Sequence, residues 1–328
     1  MKLIYVSIVL MSSLVGCSQT IPSSTVDRHP SPTVEQQLPS ELSLNYLMKR
    51  SYDGRDLAVG QILDQNSSYT RYYITYKSAD LKISGIMNVP TGTGPFPILI
   101  LNHGYIDPAI YTNGRGLKRE QDYFARRGYI VIHSDYRNHA DSDKDEQAEY
   151  RFRLGYTEDV INVIMAVKAS ALPFFNKNNI GLLGHSMGGG ITENILVVQP
   201  DLVQAAVLYA PVSANVVDNF NRWTKTRPEV ANTIIADHGE PEANPEFYAQ
   251  LSPINYLDRI TAPIMLHHGT SDQDVPIAWS DTLNQALSEE NKAITYHVYP
   301  GQPHEFTTQW PLMMQRSVDF FDQYLKKK

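Results

Sequence analysis

Cysteine is nearly absent from the 328-residue sequence, which contains only Cys17. A single cysteine excludes a disulfide within the chain, and with it a scaffold held together by disulfides. Charged residues make up only 19% of the sequence, the net charge is -7, and no basic stripe is present. The sequence therefore offers no electrostatic footprint for nucleic acid, and its 42% of hydrophobic residues is enough for one large core.

Recognisable metal-binding spacings are also lacking. The acidic segment 141–149 fits an EF-hand poorly, because Glu146 stands where the loop needs glycine and Phe152 stands where it needs glutamate. His103 and the histidine pair at 267–268 do not have the H-E-x-x-H spacing of zinc sites. We therefore expect a solvated acidic loop at 141–149, and no metal or cofactor.

The N-terminal residues do not have the composition of a folded domain. Lys2 precedes an apolar stretch that ends in the small residues of L-V-G-C, a pattern typical of a secretory signal. This ending resembles the lipobox of bacterial lipoproteins. The resemblance implies that residues 1–16 are a signal peptide and that Cys17 is lipidated and becomes the first mature residue. The alternative is a signal that is cleaved elsewhere.

The segment after Cys17 is predicted to be a flexible tether. Residues 17–41 are rich in serine, threonine and proline and poor in apolar residues, so they cannot bury enough surface to fold. Ser18 follows the cysteine, and a serine at this position in Gram-negative lipoproteins permits sorting to the outer membrane. We expect an exported protein that is anchored in a membrane of the cell envelope.

Residues 42–328 alternate between strand-like and helical patterns. A hairpin at 69–78 and 80–90 is predicted at a sheet edge, and Thr157 is expected to open one of the helices. The alternation predicts an α/β domain with a mostly parallel sheet that is covered by helices on both faces. The apolar runs typical of buried strands are 96–104, 129–137, 179–186, 203–211, 262–269 and 293–300.

An insertion at 213–258 interrupts this alternation. It contains prolines and aromatic residues without a clean strand pattern, and it follows a sheet strand, so it is a candidate lid or cap. Its Trp223 either lines an acyl or leaving-group pocket or packs within the cap. Residues 135–137, at the end of a predicted strand, either shape the pocket or have a structural role.

The segment Gly184-His185-Ser186-Met187-Gly188 matches G-x-S-x-G, between an apolar strand and a helix. This is the context of a nucleophile elbow, a sharp turn that exposes a serine at the carboxyl ends of the strands. Gly184 and Gly188 leave room for the close approach of the backbone. We expect Ser186 to be the nucleophile and His185 to be structural.

A serine nucleophile needs an imidazole base and a carboxylate that orients it. Asp272 and His304 each follow a predicted strand, in the order Ser, Asp, His that α/β-hydrolases use. We expect His304 to act as general base and then acid, and Asp272 to orient it. Asp274 is the rival for the acid, and it could instead cap the helix that begins next to it.

The oxyanion of an acyl-transfer reaction needs hydrogen-bond donors. We expect one from the backbone N–H of Met187 and one from the loop 102–105. In that loop we choose the N–H of Tyr105, with the Tyr105 hydroxyl as the alternative. His103 is expected to support the loop.

The segments 83–105, 184–190, 267–276 and 299–306 together resemble the catalytic domain of the prolyl oligopeptidase family and its dienelactone-hydrolase-like esterase relatives. The resemblance implies an α/β-hydrolase fold, with a mostly parallel central sheet, helices on both faces and a small cap. It also implies a serine hydrolase that works through an acyl-enzyme. The serine at 186 means that the cysteine chemistry of dienelactone hydrolase is not carried over.

Oligopeptidases of this family carry a β-propeller before the hydrolase domain, and the roughly 50 residues between the tether and the first buried strand leave no room for one. We therefore expect a carboxylic ester hydrolase that acts on a small-molecule ester. The alternatives are a serine peptidase that acts on short peptides and a non-catalytic envelope protein on a hydrolase scaffold.

Overall fold

The computed structural model describes residues 40–326. The predicted signal peptide at 1–16, Cys17 and almost all of the predicted tether lie outside the described residues. Within the described part, one sheet is formed by β1 (Arg55–Gln65), β2 (Tyr69–Ser78), β3 (Leu81–Pro90), β4 (Phe96–Asn102), β5 (Ile130–Ser134), β6 (Phe175–His185), β7 (Ala205–Tyr209), β8 (Ile264–Gly269) and β9 (Ile294–Tyr299).

The strands lie in the order β1-β2-β3-β5-β4-β6-β7-β8-β9. The pairs β1–β2, β2–β3 and β3–β5 are antiparallel, and all pairs from β5 across to β9 are parallel. β5, β7 and β8 are buried along their whole length, as expected where helices cover both faces of a parallel sheet. The predicted mostly parallel α/β architecture is confirmed.

The helices cover both faces of the sheet. Ile98 and Ile100 of β4 belong to a core cluster on one face, and Leu99 and Leu101 belong to the cluster on the other, because successive strand residues point to opposite faces. The helices in residues 40–326 are α1 (Leu44–Lys49), α2 (Lys118–Ala125), α3 (Leu154–Ala169), α4 (Met187–Val198), α5 (Val216–Asn219), α6 (Pro228–His238), α7 (Pro245–Ala249), α8 (Ile277–Glu289) and α9 (Trp310–Leu325).

Two local predictions were wrong. The hairpin β2–β3 does not lie at the sheet edge, because β1 pairs with β2 and forms the edge. Thr157 does not open α3, which begins three residues earlier at Leu154. The Thr157 side chain is buried and accepts a hydrogen bond from Asn194 Nδ2 at 3.2 Å, so it contributes to helix packing and not to a cap.

The segment 213–258 is helical and lies between β7 and β8. It contains α5, a π-helical turn at Phe220–Thr224, α6, α7 and most of a 3-10 helix at Pro253–Arg259. Phe220, Ile234 and Tyr248 form a small core of its own. In the part of the chain that is described, none of the helices combines the length and the apolar character that crossing a membrane requires.

Candidate active site

Ser186 occupies the sharp turn between β6, which ends at His185, and α4, which begins at Met187. Its φ of 56° and ψ of -122° put a non-glycine residue in a sparsely populated region of backbone space. A Cβ added to Gly184 would overlap the carbonyl of Gly188, and a Cβ added to Gly188 would overlap the carbonyl of Asn102. The flanking residues must therefore be glycine for the turn to close.

A pocket of about 620 Å³ opens in front of Ser186. Ser186 and His304 both line it, together with Tyr105 and Met187. β6, β8 and β9 are parallel and lie close together in the sheet, so their carboxyl ends point the same way and lie side by side. Residues that follow these strands are therefore brought together although they are distant in sequence.

His304 and Asp272 are hydrogen-bonded, with 2.7 Å between Nδ1 and Oδ2. The Asp272 side chain is 0% exposed, and its Oδ1 accepts the backbone N–H groups of Asp274 and Val275, each at 2.9 Å. Burial alone would raise the pKa of this carboxyl, but hydrogen bonds from His268 and His304 outweigh it and hold the pKa below the usual range. Asp272 is thus an ionised acceptor for the Nδ1–H of His304.

His268 is a partner of Asp272 that sequence reasoning missed. Its Nε2 lies 3.2 Å from Asp272 Oδ2 and 3.1 Å from the carbonyl oxygen of Val275. Since both neighbours accept hydrogen bonds, the proton must be on Nε2, and Ser280 Oγ, at 2.6 Å, donates to Nδ1. The only sequence signal was its place four residues before Asp272, which does not by itself predict a contact in a loop.

Asp274 does not cap the neighbouring helix. The N-cap of α8 is Pro276, and no side chain caps that end. The Asp274 side chain is exposed and borders the pocket, and its backbone carbonyl accepts a hydrogen bond from Arg222 Nε at 2.7 Å. The structure therefore brings His304 to Asp272, and it leaves Asp274 at the rim.

One group of side chains near the pocket has the spacing to hold a cation. Ligand atoms from Asp272, Asp274 and His304 lie within 4.8 Å of one another. The hydrogen bond between Asp272 and His304 already occupies two of these three groups, and a cation would have to compete with it. The arrangement therefore suits proton transfer through His304 better than metal binding.

The loop after β4 passes directly beside the turn at Ser186. A Cβ added to Gly104 would lie 3.1 Å from Ser186 Cβ, so the next residue, Tyr105, reaches the pocket. The guanidinium of Arg153 lies over the exposed Tyr105 ring, 4.7 Å from its centroid. Met187 is the first residue of α4, and its N–H is among those that α-helical hydrogen bonding leaves free.

Two histidines support the turn and the loop. His103 is buried against the rings of Tyr111 and Tyr136, with centroids 5.0 and 4.3 Å apart, and burial lowers its pKa to about 3. His185 lies against His304, with ring centroids 4.5 Å apart. Burial lowers the pKa of His185 to about 3 as well, so it is neutral and does not repel a protonated His304.

Residues 135–137 are buried near the site, and the acidic loop at 141–149, most of which is exposed or partly exposed, joins them through Asp145. Arg137 pairs with Asp145, Glu158 and Asp159, so the loop contributes a carboxylate to an ion-pair network. Asp135 accepts hydrogen bonds from Ser84 Oγ, Tyr111 Oη, Asn113 Nδ2 and the N–H of Gly114. These contacts assign residues 135–137 a structural role.

The pocket wall away from His304 is formed by α3, α4 and the insertion. Its apolar members are Leu154, Ile191, Val216, Phe220, Leu251 and Pro253. Trp223 lines the pocket, and its ring packs edge to face on Trp279 of α8, with centroids 5.5 Å apart, so this contact is with a helix outside the insertion. Glu149 pairs with Arg153 and Arg227 on the same wall.

The sheet and the site together define the class of protein. A mostly parallel sheet with a serine at a strand-to-helix turn, and a histidine and an aspartate after later strands, is the α/β-hydrolase fold of a serine hydrolase. Residues 116–328, more than half of the chain, match the model of the prolyl oligopeptidase family. The chain belongs to this family and is an enzyme, so the alternative of a non-catalytic scaffold is wrong.

Known relatives of this chain differ in length. The chain is 25% identical over 264 residues to the uncharacterized peptidase YtmA of Bacillus subtilis, covering 80% of this chain and 96% of that protein. It is 24% identical over 251 residues to dipeptidyl aminopeptidase BIII of Pseudoxanthomonas mexicana, covering 74% of this chain but only 34% of that protein. The chain thus covers nearly the whole length of YtmA but only about a third of the length of the dipeptidyl aminopeptidase.

Solved structures share the fold. The structure of acetyl xylan esterase 1 from Thermoanaerobacterium sp. JW/SL YS485 superposes with a TM-score of 0.64 at 16% sequence identity. The match covers 87% of this chain and 94% of the esterase chain. At this identity the likeness establishes the α/β-hydrolase fold.

Proposed function

We propose that the protein is a carboxylic ester hydrolase in which Ser186 is the nucleophile, His304 the general base and acid, and Asp272 the orienting acid. The observation that carries the proposal is the strained turn at Ser186, which lines the same pocket as an imidazole that is hydrogen-bonded to a buried carboxylate. The apolar wall from α3, α4 and the insertion supports an acyl group as the part of the substrate that enters the pocket.

In this mechanism Ser186 Oγ attacks the ester carbonyl carbon while His304 Nε2 takes the hydroxyl proton. The negative charge moves to the carbonyl oxygen, where the N–H groups of Met187 and Tyr105 stabilise it. His304 then protonates the leaving alcohol, and the acyl group remains on Ser186. Water, activated by the same imidazole, attacks this acyl-enzyme and releases the carboxylic acid.

Each auxiliary residue has a physical reason for its part in these steps. The ionised Asp272 fixes the proton of His304 on Nδ1, which leaves Nε2 as the base, and stabilises the imidazolium that forms. Met187 begins α4, so its N–H carries the positive end of the helix dipole towards the oxyanion. The neutral His185 beside His304 leaves the imidazolium without a like charge next to it.

A serine peptidase for short peptides is the second candidate. It is supported by the family match and by a relative, YtmA, that is named a peptidase and that this chain covers along 96% of its length. Amide cleavage uses the same three residues, but its amine leaving group is poorer and needs full protonation by His304. The two candidates therefore differ in how fast the enzyme should hydrolyse an amide compared with an ester of the same acyl group.

The test compares a p-nitrophenyl ester and a p-nitroanilide that carry the same acyl group, first butyryl and then alanyl. We expect ester turnover with little amide turnover for both acyl groups. The Ser186→Ala variant should lose turnover and also labelling by a fluorophosphonate probe. Comparable turnover of the alanyl amide would favour the peptidase, and normal turnover in Ser186→Ala would reject the nucleophile.

We further propose that residues 213–258 serve as a cap over the acyl pocket. Val216, Phe220 and Trp223 from this segment line the pocket, and its small core of Phe220, Ile234 and Tyr248 gives it a shape of its own. Changes in this segment should therefore alter acyl-chain preference and leave the reaction of Ser186 with a fluorophosphonate in place.

For the localisation, we propose that Cys17 is lipidated and holds the protein on a membrane of the cell envelope. The support is the order of Lys2, an apolar run and L-V-G-C in the sequence. Cys17→Ser should move the protein from the membrane fraction to the soluble fraction without changing its specific activity. A variant that stays in the membrane fraction would reject the anchor.

A further inference from the structure

Glu193 is a buried acid in the pocket wall with no role in the steps above. It lies on α4, is 2% exposed, and lines the same pocket as Ser186. Among residues 40–326, neither of its carboxyl oxygens has a hydrogen-bond partner. Buried polar groups normally have partners, so a carboxyl group without one in a pocket wall points to a partner supplied from outside the chain.

The helix fixes how far this carboxyl lies from the reacting centre. Glu193 follows Ser186 by seven positions, which is about 10 Å along a helix axis. Side chains on a helix lean towards its N-terminus, so the carboxyl group is closer to Ser186 than the backbone spacing. An extended acyl chain of about six carbons spans the remaining distance. The group that meets Glu193 therefore lies near the far end of such a chain.

The surroundings of Glu193 favour the neutral form of its carboxyl group. Burial raises its pKa well above the usual range for a glutamate, and the neighbouring pocket wall includes Ile191, Leu251 and Pro253. A protonated carboxyl has one O–H donor and one carbonyl acceptor. A hydroxyl or a primary amide satisfies both at once. An ammonium group would have to lose its hydration to form a buried ion pair, and the free energy of this desolvation can exceed the attraction between the two charges.

We infer that Glu193 determines acyl specificity by hydrogen-bonding an uncharged polar group, a hydroxyl or an amide, near the end of the substrate's acyl chain. This inference rests on the proposed function, because it takes Ser186 as the point of attack. The cationic groups already on this wall, Arg153 and Arg227, are paired with Glu149. Among the buried side chains that line this wall in the described structure, Glu193 is the one whose polar atoms have no partner.

The test uses three p-nitrophenyl esters of nearly equal acyl length: heptanoate, 6-hydroxyhexanoate and 6-aminohexanoate. They end in a methyl group, a hydroxyl group and an ammonium group. The measured quantity is the ratio of kcat/KM for the hydroxyl ester to that for heptanoate, compared between wild type and variants. The comparison between proteins cancels the intrinsic reactivity of each ester.

We expect Glu193→Leu to lower this ratio by about tenfold or more, because the hydroxyl then enters an apolar site without a partner. Glu193→Gln keeps a donor and an acceptor without a charge, and we expect it to change the ratio by less than about threefold. The matched control is Glu290→Leu, the same change at an exposed residue after α8, which should leave the ratio unchanged.

Three results would overturn the inference. An unchanged ratio in Glu193→Leu, with a higher melting temperature, would mean that Glu193 is an unused buried acid. Loss of the preference in Glu193→Gln, or a wild-type preference for the ammonium ester, would mean that a charged carboxylate binds a cation. If heptanoate turnover and fluorophosphonate labelling persist in any of these three cases, the proposed ester hydrolysis stands while the role of Glu193 falls.

Discussion

Two acids are buried near the pocket, in contrasting surroundings. Asp272 lies in the loop after β8, where two histidines and two backbone N–H groups hold its carboxylate. Glu193 lies in the middle of α4, where no described residue contacts its carboxyl through a hydrogen bond. The pKa of the first is held below its usual range, and the pKa of the second is raised well above it.

The difference shows that burial alone does not decide the state of a carboxyl group. Both acids lose contact with water, which raises the pKa of each. Donated hydrogen bonds reverse this effect for Asp272 and are missing for Glu193. The loops that follow the carboxyl ends of the strands can supply such donors. The interior of a helix cannot, because its N–H groups are already bonded to carbonyls of the preceding turn.

The largest expected effect is on the acid that holds His304. Asp272→Asn should lower kcat by about 10⁴-fold, because an amide in this position favours the wrong tautomer of the imidazole. The matched variant Asp274→Asn, two residues further along at the pocket rim, should change kcat by less than about threefold. Steady-state ester hydrolysis measures both. Equal losses in the two variants would mean that Asp274 shares the role.

A smaller effect is expected from the histidine behind Asp272. His268→Asn should lower kcat by about tenfold with little change in KM, because Asp272 loses one donated hydrogen bond. The control is His267→Asn, a change to the neighbouring buried histidine, which contacts Ser317 and Tyr299 instead. Both variants should lose stability, but only the first should lose kcat. Equal losses of kcat would show that His268 acts through folding alone.

The smallest expected effect concerns stability and tests the state of Glu193. In the folded protein this acid keeps a proton that the unfolded chain releases, so the free energy of unfolding should fall as the pH rises above the usual glutamate range. The contribution is at most about 1.4 kcal/mol per pH unit. Urea unfolding between pH 5 and 8 should show this slope in wild type, reduced in Glu193→Gln. Parallel slopes would mean that Glu193 is ionised in the fold.

Sequence reasoning reached Ser186, Asp272 and His304 because each follows a strand that is itself a recognisable apolar run. In a parallel sheet the ends of such strands meet, so a linear order becomes a spatial cluster. The roles of the three residues remain predictions, while the structure places Ser186 and His304 in one pocket and hydrogen-bonds His304 to Asp272. The fold was predictable for the same reason, since β5, β7 and β8 are buried throughout.

Other features left no such signal. Glu193 in the sequence reads as the polar position of an amphipathic helix, and it is buried only because neighbouring parts of the fold cover that side of α4. β1 was missed because most of its residues are exposed and its pairing with β2 is interrupted by register shifts, which break the alternation of polar and apolar residues. His268 contacts Asp272 only through the path of the loop after β8.

The backbone just before the insertion is hydrogen-bonded to the turn at Ser186. The N–H of Val212, just before the insertion, donates to the carbonyl oxygen of Ser186 at 3.1 Å. The backbone that leads into the insertion is thus fixed at Ser186, and the insertion is held further along by Arg222 on the Asp274 carbonyl and by Arg227 on Glu149. For protein engineering, the consequence is that residues 216–251 could be exchanged for a segment from a related enzyme only if the graft preserved these attachments, because they fix where the segment borders the pocket.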